Sequence, residues 1–208
     1  EEIMLADMTI KEFLKKTASS DPAPGGGSVA ALCGAVACAL ASMVASLTVN
    51  NKEYTKVSGE MEKLLEACPE FMDSFVQYMD ADADAFNEVI KAYHMPKADD
   101  EERAARSAAI QQCLKEAANV PLRVAQEALE AMDMIETAVV KGNKQAVTDG
   151  AVAAMMARTA ILAALYNTEI NLASIKDEGF RKGMQDRVLE LREKAVSREK
   201  DILGKVRI

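Results

Sequence analysis

The sequence predicts an all-α protein, a helical bundle forming a single domain over residues 1–208, with about six or seven helices. Three observations carry this. No stretch alternates apolar and polar residues as a half-buried strand requires. Half of the 208 residues are hydrophobic but only 4% are aromatic, so the core must be assembled from Ala, Leu, Val, Ile and Met, as helix packing allows. Two long helical stretches carry almost no charge: residues 22–51 hold none, and residues 145–172 hold only Asp149, Arg158 and Glu169. A helix uncharged all round belongs inside a fold, so these two should be its centre.

The elements follow in order. Thr9-Ile10-Lys11-Glu12 fits a capping box and starts a short helix over 9–18. In Asp21-Pro22-Ala23-Pro24-Gly25-Gly26-Gly27 two prolines fix φ and three glycines free it, which makes a shaped loop. Ser28 is the expected N-cap of the first central helix. Along that helix Ala30, Gly34, Cys38, Ser42 and Ser46 form a stripe of small residues, open to close approach by another backbone. Val29, Cys33, Val36, Leu40, Met43 and Leu47 form a bulky stripe, expected to fill the core. The glycine loop would aim free N–H groups and the positive dipole end at whatever sits there, a natural place for an anion. The same pattern also suits a bare tight connection. It is not a P-loop, which needs a lysine, nor a dinucleotide fingerprint. Residues 28–50 are long enough to span a membrane. They are mostly Ala, Gly, Ser and Cys, with no aromatic belt or basic flank, so no membrane role is expected.

Residues 58–93 read as one long helix with a heptad seam, and Pro69 is expected to kink or split it. Met61, Cys68, Phe75, Asp82 and Val89 recur every seven residues, joined by Leu65, Met72, Met79, Phe86 and Tyr93. Asp82 is the one member that is not apolar. A carboxylate there loses hydration and its pKa rises unless donors or cations compensate, which makes it a functional candidate. Asp80 and Asp84 are expected to meet solvent. His94 ends the helix. Asp99-Asp100-Glu101-Glu102 opens the next one with acids in its first turn, Pro121 is expected to interrupt it, and Gly142 to end it. The second central helix follows, with Asp149 in its first turn and Asn167 and Asn171 one turn apart on one face. Arg158 should serve an ion pair. Ser174-Ile175-Lys176-Asp177 then caps a charged amphipathic helix whose buried face is Phe180, Met184, Val188, Leu191 and Ala195.

Charge and rare residues exclude several classes. A net charge of −8 argues against nucleic acid or an anionic membrane as partner, and an anionic ligand would need a local basic site. The single histidine and four cysteines, none in C-x-x-C, offer no metal site, no Ser-His-Asp triad and no disulfide framework. The acidic start Glu1-Glu2-Ile3-Met4 lacks the basic region of a signal peptide, so a reduced, cytoplasmic protein is expected.

Five pieces, in order, resemble the formiminotetrahydrofolate cyclodeaminase family, which includes stand-alone bacterial methenyltetrahydrofolate cyclohydrolases. They are Pro22-Ala23-Pro24-Gly25-Gly26-Gly27-Ser28 with its small-residue helix; Leu47-Thr48 followed by Lys52-Glu53-Tyr54; Asp82-Ala83-Asp84-Ala85-Phe86 with Met95-Pro96-Lys97; Gly142-Asn143-Lys144 continuing to Asp149; and Asn167 with Ile170-Asn171-Leu172 and Ile175-Lys176-Asp177. The resemblance spans nearly the whole chain. It implies an α-helical homodimer with a folate site near the glycine loop, and a one-carbon reaction at tetrahydrofolate that needs no metal or redox cofactor. That reaction is either closure of 5-formiminotetrahydrofolate to 5,10-methenyltetrahydrofolate with loss of ammonia, or hydrolysis of the methenyl compound to 10-formyltetrahydrofolate. No formiminotransferase segment accompanies this chain, which leaves room for either.

On this reading the catalytic candidates are Asp82 for proton transfer or cation stabilisation, Lys52 to hold polar atoms of the folate or the departing group, and Asp149 as reserve carboxylate. The substrate-binding candidates are Gly25, Gly26, Gly27, Ser28, Thr48, Tyr54, Asn143 and Lys144, with the lysines suited to a folate's glutamate tail. The Asn50-Asn51 turn is less basic than in relatives with several lysines there. Two other classes predict different behaviour: a helical module that binds folate or another anion without turnover, and a dimeric assembly protein whose small-residue helix serves packing alone.

Overall fold

The computed structural model describes residues 4–208; the acidic Glu1 and Glu2 lie outside the described residues. Within them the chain forms six α-helices and no strand, in the order α1 (Ile10–Thr17), α2 (Gly26–Val49), α3 (Ser58–Tyr93), α4 (Asp100–Lys141), α5 (Val147–Leu172) and α6 (Glu178–Leu203), with short 3₁₀ turns between some of them. The capping box at Thr9 is formed, Asp99 caps α4 by accepting from the Glu102 amide, and Asp177 caps α6 by accepting from Phe180.

The two weakly charged helices lie side by side at the centre. Helix α2 packs on α3, α4 and α5, and α5 is covered further by α4 and α6. Both α3 and α5 run antiparallel to α2. A methyl group on Gly27 would meet the Asp82 carboxyl and one on Gly34 would meet the Phe75 ring, so α3 descends as α2 rises. Likewise Gly26 faces Asn167 late in α5, whereas Thr48 meets Asn143 just before α5 begins. Both helices are long and apolar enough to cross a membrane by composition, and about half of each is buried inside the fold. Helix α6 is held to α4 by Arg198, which pairs with Asp133 and Glu136, and to α5 by Arg158 and Glu199. These pairs are largely exposed and set position more than stability.

Several expectations are corrected. Helix α2 starts at Gly26 with Gly25 as N-cap, so Ser28 is not the cap. Its buried hydroxyl instead donates to the Met79 carbonyl at 2.9 Å, fastening the first turn of α2 to α3. Neither proline interrupts its helix: Pro69 lies inside α3 and Pro121 inside α4. A proline in a helix costs one N–H and a local clash, and packing along the rest of these 36- and 42-residue helices outweighs that. Asp80 does not face solvent: it is half-buried, accepts from the Leu5 amide at 2.8 Å, and its other oxygen is buried without a partner.

Of the two stripes of α2, the small one admits close neighbours as expected, whereas the bulky one does not fill the core. The small residues Ala30, Gly34 and Cys38 are buried, because the neighbouring helices approach closely there. The bulky stripe faces outward, with Val36 38%, Met43 39% and Leu47 47% exposed. Helix α5 also exposes apolar residues, Val152, Met155, Tyr166 and Ile170, the last 70% exposed.

Candidate active site

At the N-terminal end of α2 the shaped loop, α3, α4 and α5 enclose a cavity of about 280 Å³. Pro22, Ala23, Gly25 and Gly26 form one wall, Asp82, Ala83 and Phe86 of α3 a second, and Ala117, Asn167, Ile170 and Asn171 the rest. The sequence explains each wall. No side chain caps the start of α2, so its first amides keep their hydrogen-bonding capacity. Gly27 is required by contact rather than by φ: an added Cβ would sit 2.1 Å from an Asp82 oxygen. The absent side chain lets the carboxyl lie against the helix end.

Asp82 is half-buried, and burial pushes its carboxyl up to about 6, against the Ser28 backbone amide, which acts to lower it. A group titrating there can hold or release a proton near neutrality. Gly26 is crowded by the Asn167 side-chain amide, 3.0 Å from where a Cβ would stand. Asn171 donates to the Ala117 carbonyl at 2.9 Å. That carbonyl is free because Pro121, four residues on, has no N–H to give it. The proline within α4 thus supplies the acceptor that orients a side chain in the cavity wall. Asn167, Asn171, Phe86 and Ile170 were not among the sequence-derived site residues. The signals were the one-turn spacing of the two asparagines on a nearly uncharged helix and the place of all four residues in the pieces that carry the family resemblance.

A second cavity, of about 460 Å³, lies across the Pro22–Ala23 segment and shares Pro22, Ala23 and Ala83 with the first. Its charged lining is Lys16 against Asp21, Asp80 and Asp84. The four cysteines are free, and burial pushes Cys38 up to about 12 and Cys68 up to about 11, so neither is a nucleophile near neutral pH.

The structure divides the sequence-derived candidates. Gly25, Gly26, Gly27 and Asp82 come together, with Ser28 beside them as an anchor. Thr48, Lys52, Tyr54, Asn143, Lys144 and Asp149 gather at the other end of α2. Gly27 and Thr48 are about 30 Å apart at 1.5 Å of rise per residue. Lys52 and Asp149 therefore do not reach Asp82 within one subunit. At that far end the polar atoms satisfy one another: Thr48 Oγ1 donates to the Val44 carbonyl and accepts from the Asn143 amide at 2.8 Å, and the Tyr54 hydroxyl accepts from the Lys144 amide at 3.0 Å. Gly142 is wedged there, since a Cβ would lie 2.6 Å from the Val44 side chain.

Comparison with known proteins bears out the resemblance. A profile of the formiminotransferase-cyclodeaminase family matches residues 9–190. A methenyltetrahydrofolate cyclohydrolase of Methylorubrum extorquens is 37% identical over 188 residues, covering 90% of this chain and 89% of that protein. The formimidoyltransferase-cyclodeaminase of Rattus norvegicus is 31% identical over 200 residues, and this chain spans 37% of its length. The crystal structure of formiminotetrahydrofolate cyclodeaminase from Thermotoga maritima superposes with a TM-score of 0.85 at 34% identity, covering 96% of each chain. The chain thus belongs to the formiminotransferase-cyclodeaminase family.

Proposed function

We propose that this chain is a folate one-carbon enzyme that closes or opens the five-membered ring bridging N5 and N10 of tetrahydrofolate, with Asp82 as its proton-transfer group. The observation that carries this reading is the Asp82 carboxyl, pushed up to about 6 by burial, lying against the uncapped first turn of α2 in a cavity. The full-length relatives named as cyclohydrolase and cyclodeaminase support the substrate class.

In the closing direction N10 attacks the formimino carbon of 5-formiminotetrahydrofolate. Its proton moves to the imino nitrogen and a tetrahedral carbon forms. Protonated Asp82 then gives its proton to that nitrogen, the C–N bond breaks, ammonia leaves, and a methenyl cation remains. In the opening direction Asp82 carboxylate takes a proton from a water whose hydroxide adds to the methenyl carbon, giving a neutral carbinol. It returns that proton to N5 as the C–N5 bond breaks, and the carbinol hydroxyl proton passes to solvent, leaving 10-formyltetrahydrofolate and one net proton released. A carboxyl group titrating near 6 serves as acid in the first case and as base in the second. In both, its anionic form lies beside a carbon that bears positive charge. Neither sequence of steps calls for a metal or redox cofactor. The free thiols accord with a reducing, cytoplasmic setting. The outward apolar face of α2 and α5 supports a homodimer.

The test is a pair of assays on the purified protein, both following methenyltetrahydrofolate by its absorbance. Its appearance from 5-formiminotetrahydrofolate with release of ammonia gives a cyclodeaminase. Accelerated loss starting from methenyltetrahydrofolate alone gives a cyclohydrolase. No change in either, against the uncatalysed background, overturns the enzymatic reading.

A further inference from the structure

We propose that Asn171 is part of the reacting centre: its side-chain oxygen is a fixed dipole that stabilises the positive charge carried by the one-carbon unit. This deepens the folate reading above and rests on it.

The orientation of the side chain follows from what it bonds. Asn171 Nδ2 donates to the Ala117 carbonyl of α4 and to the Asn167 carbonyl one turn back in α5, both at 2.9 Å. A backbone carbonyl can only accept, so the NH₂ must face these two atoms, and both of its N–H groups are spent. The oxygen is then all that Asn171 has left to offer. It takes no hydrogen bond from any described residue and is not sealed inside the protein, so it opens on the cavity that the residue lines. The side chain is held from two helices at once and stays in place while charge develops beside it, which is the condition for electrostatic catalysis.

The surroundings select for positive charge. Among the described residues that line this cavity there is no lysine, arginine or histidine. Asn171 lies in the last turn of α5, at the negative end of the helix dipole, and no basic side chain in that turn offsets it. Phe86 puts an aromatic ring in the α3 wall, and such rings attract cations. The positive end of α2 is met by Asp82, whose carboxyl accepts from the Ser28 amide. The methenyl carbon has no N–H or O–H to donate, so an acceptor oxygen meets it through charge alone. Unlike Asp82, an amide does not titrate in this range. Asn171 therefore keeps its dipole on the cation whether Asp82 holds its proton or has released it.

The test is equilibrium binding of two folates that differ in charge at this unit. One is 5,10-methenyltetrahydrofolate, a cation; the other is 5-formyltetrahydrofolate, neutral there. Both carry the same pterin and the same tail. The parent protein is Asp82→Asn, in which turnover is suppressed and the carboxylate no longer contributes. A mildly acidic buffer slows uncatalysed hydrolysis. The quantity read is the ratio of the two Kd values. The parent should favour the cation. Asn171→Leu, similar in shape but without the oxygen, should lower that preference about tenfold and change the affinity for the neutral folate about twofold or less. Asn171→Asp, which puts a charge where the dipole was, should raise the preference about threefold or more. Equal weakening of both folates by Asn171→Leu assigns the residue to holding the helices together and overturns the proposal. So does an unchanged ratio, a parent without preference for the cation, or a preference that fails to rise in Asn171→Asp. Where Asn171→Leu does not fold, the aspartate variant alone decides. Binding of neither folate by the parent or by the unsubstituted protein overturns the folate reading itself, and this proposal falls with it.

Discussion

The two ends of α2 differ in what their polar groups still have to give. At the C-terminal end, Thr48 bonds to the Asn143 amide and the Tyr54 hydroxyl to the Lys144 amide, with the charged side chains of Lys52, Glu53 and Lys144 exposed. At the N-terminal end the helix amides have no side-chain cap, and the Asp82 carboxyl lies in an apolar wall that holds it near 6. One end is a saturated clamp; the other keeps unspent hydrogen-bonding capacity and a titratable group. Buried polar groups are ordinarily satisfied. The unsatisfied end is therefore where a ligand gains most, even though both ends supply family motifs.

Four substitutions and one control would break or sharpen this contrast. Asp82→Asn should have the largest effect, lowering turnover about 10²-fold or more in the methenyl absorbance assay. It should also stabilise the fold, and the sign follows from linkage. Burial raises the folded carboxyl from 3.8 to about 6, so ionising it opposes folding. That opposition is absent below the unfolded value, builds between the two values, and is complete above about 6. Thermal melts should therefore show the asparagine variant more stable by about 1–3 kcal/mol at pH 8 and no different near pH 3.5. Equal stability at pH 8 would mean that the carboxylate is fully compensated and that its proposed acid role is misplaced.

Gly27→Ala comes next. Its Cβ would lie 2.1 Å from the Asp82 carboxyl, so α3 or the carboxyl must shift. We expect about 1–3 kcal/mol of destabilisation by denaturant titration, together with a loss of turnover. Gly59→Ala is the control, since nothing lies within 4 Å of its added methyl. It should leave activity intact and gain up to about 1 kcal/mol from helix propensity.

Thr48→Val probes the clamp. It leaves the Asn143 amide without its acceptor, and should cost about 1–3 kcal/mol of stability while saturated turnover survives. Collapse of turnover with unchanged stability would move the chemistry to this end. Pro121→Ala should have the smallest effect. The restored N–H competes with Asn171 for the Ala117 carbonyl, and the measurable result should be a rise in KM of about threefold or less.

Much of this arrangement was legible in the residues. The heptad seam of α3 singled out Asp82 because a charged residue breaks an apolar period, and that is a local property. The capping box at Thr9 forms where the sequence places it, because it is decided within four residues, and Asp177 of the expected 174–177 box is the cap of α6, whereas the cap expected at Ser28 fell to Gly25. The prolines were misjudged because a helix break is decided by the balance of one lost bond against the packing of the whole element. The bulky stripe of α2 turns outward for a similar reason. Periodicity shows that two faces exist, whereas the neighbours' closeness decides which is inside. Here Phe75 presses on Gly34, so the small face is the buried one.

By itself the sequence determined the all-α class, the two central helices, the glycine loop and the one carboxylate out of place in an apolar seam. These follow from period, charge and backbone freedom over short spans. Only the tertiary structure decided that the family motifs lie at opposite ends of one helix, that Asn167 and Asn171 join the cavity, and that the bulky face of α2 turns outward. Those facts depend on how antiparallel helices align over about 30 Å, a distance at which sequence spacing carries no register of its own.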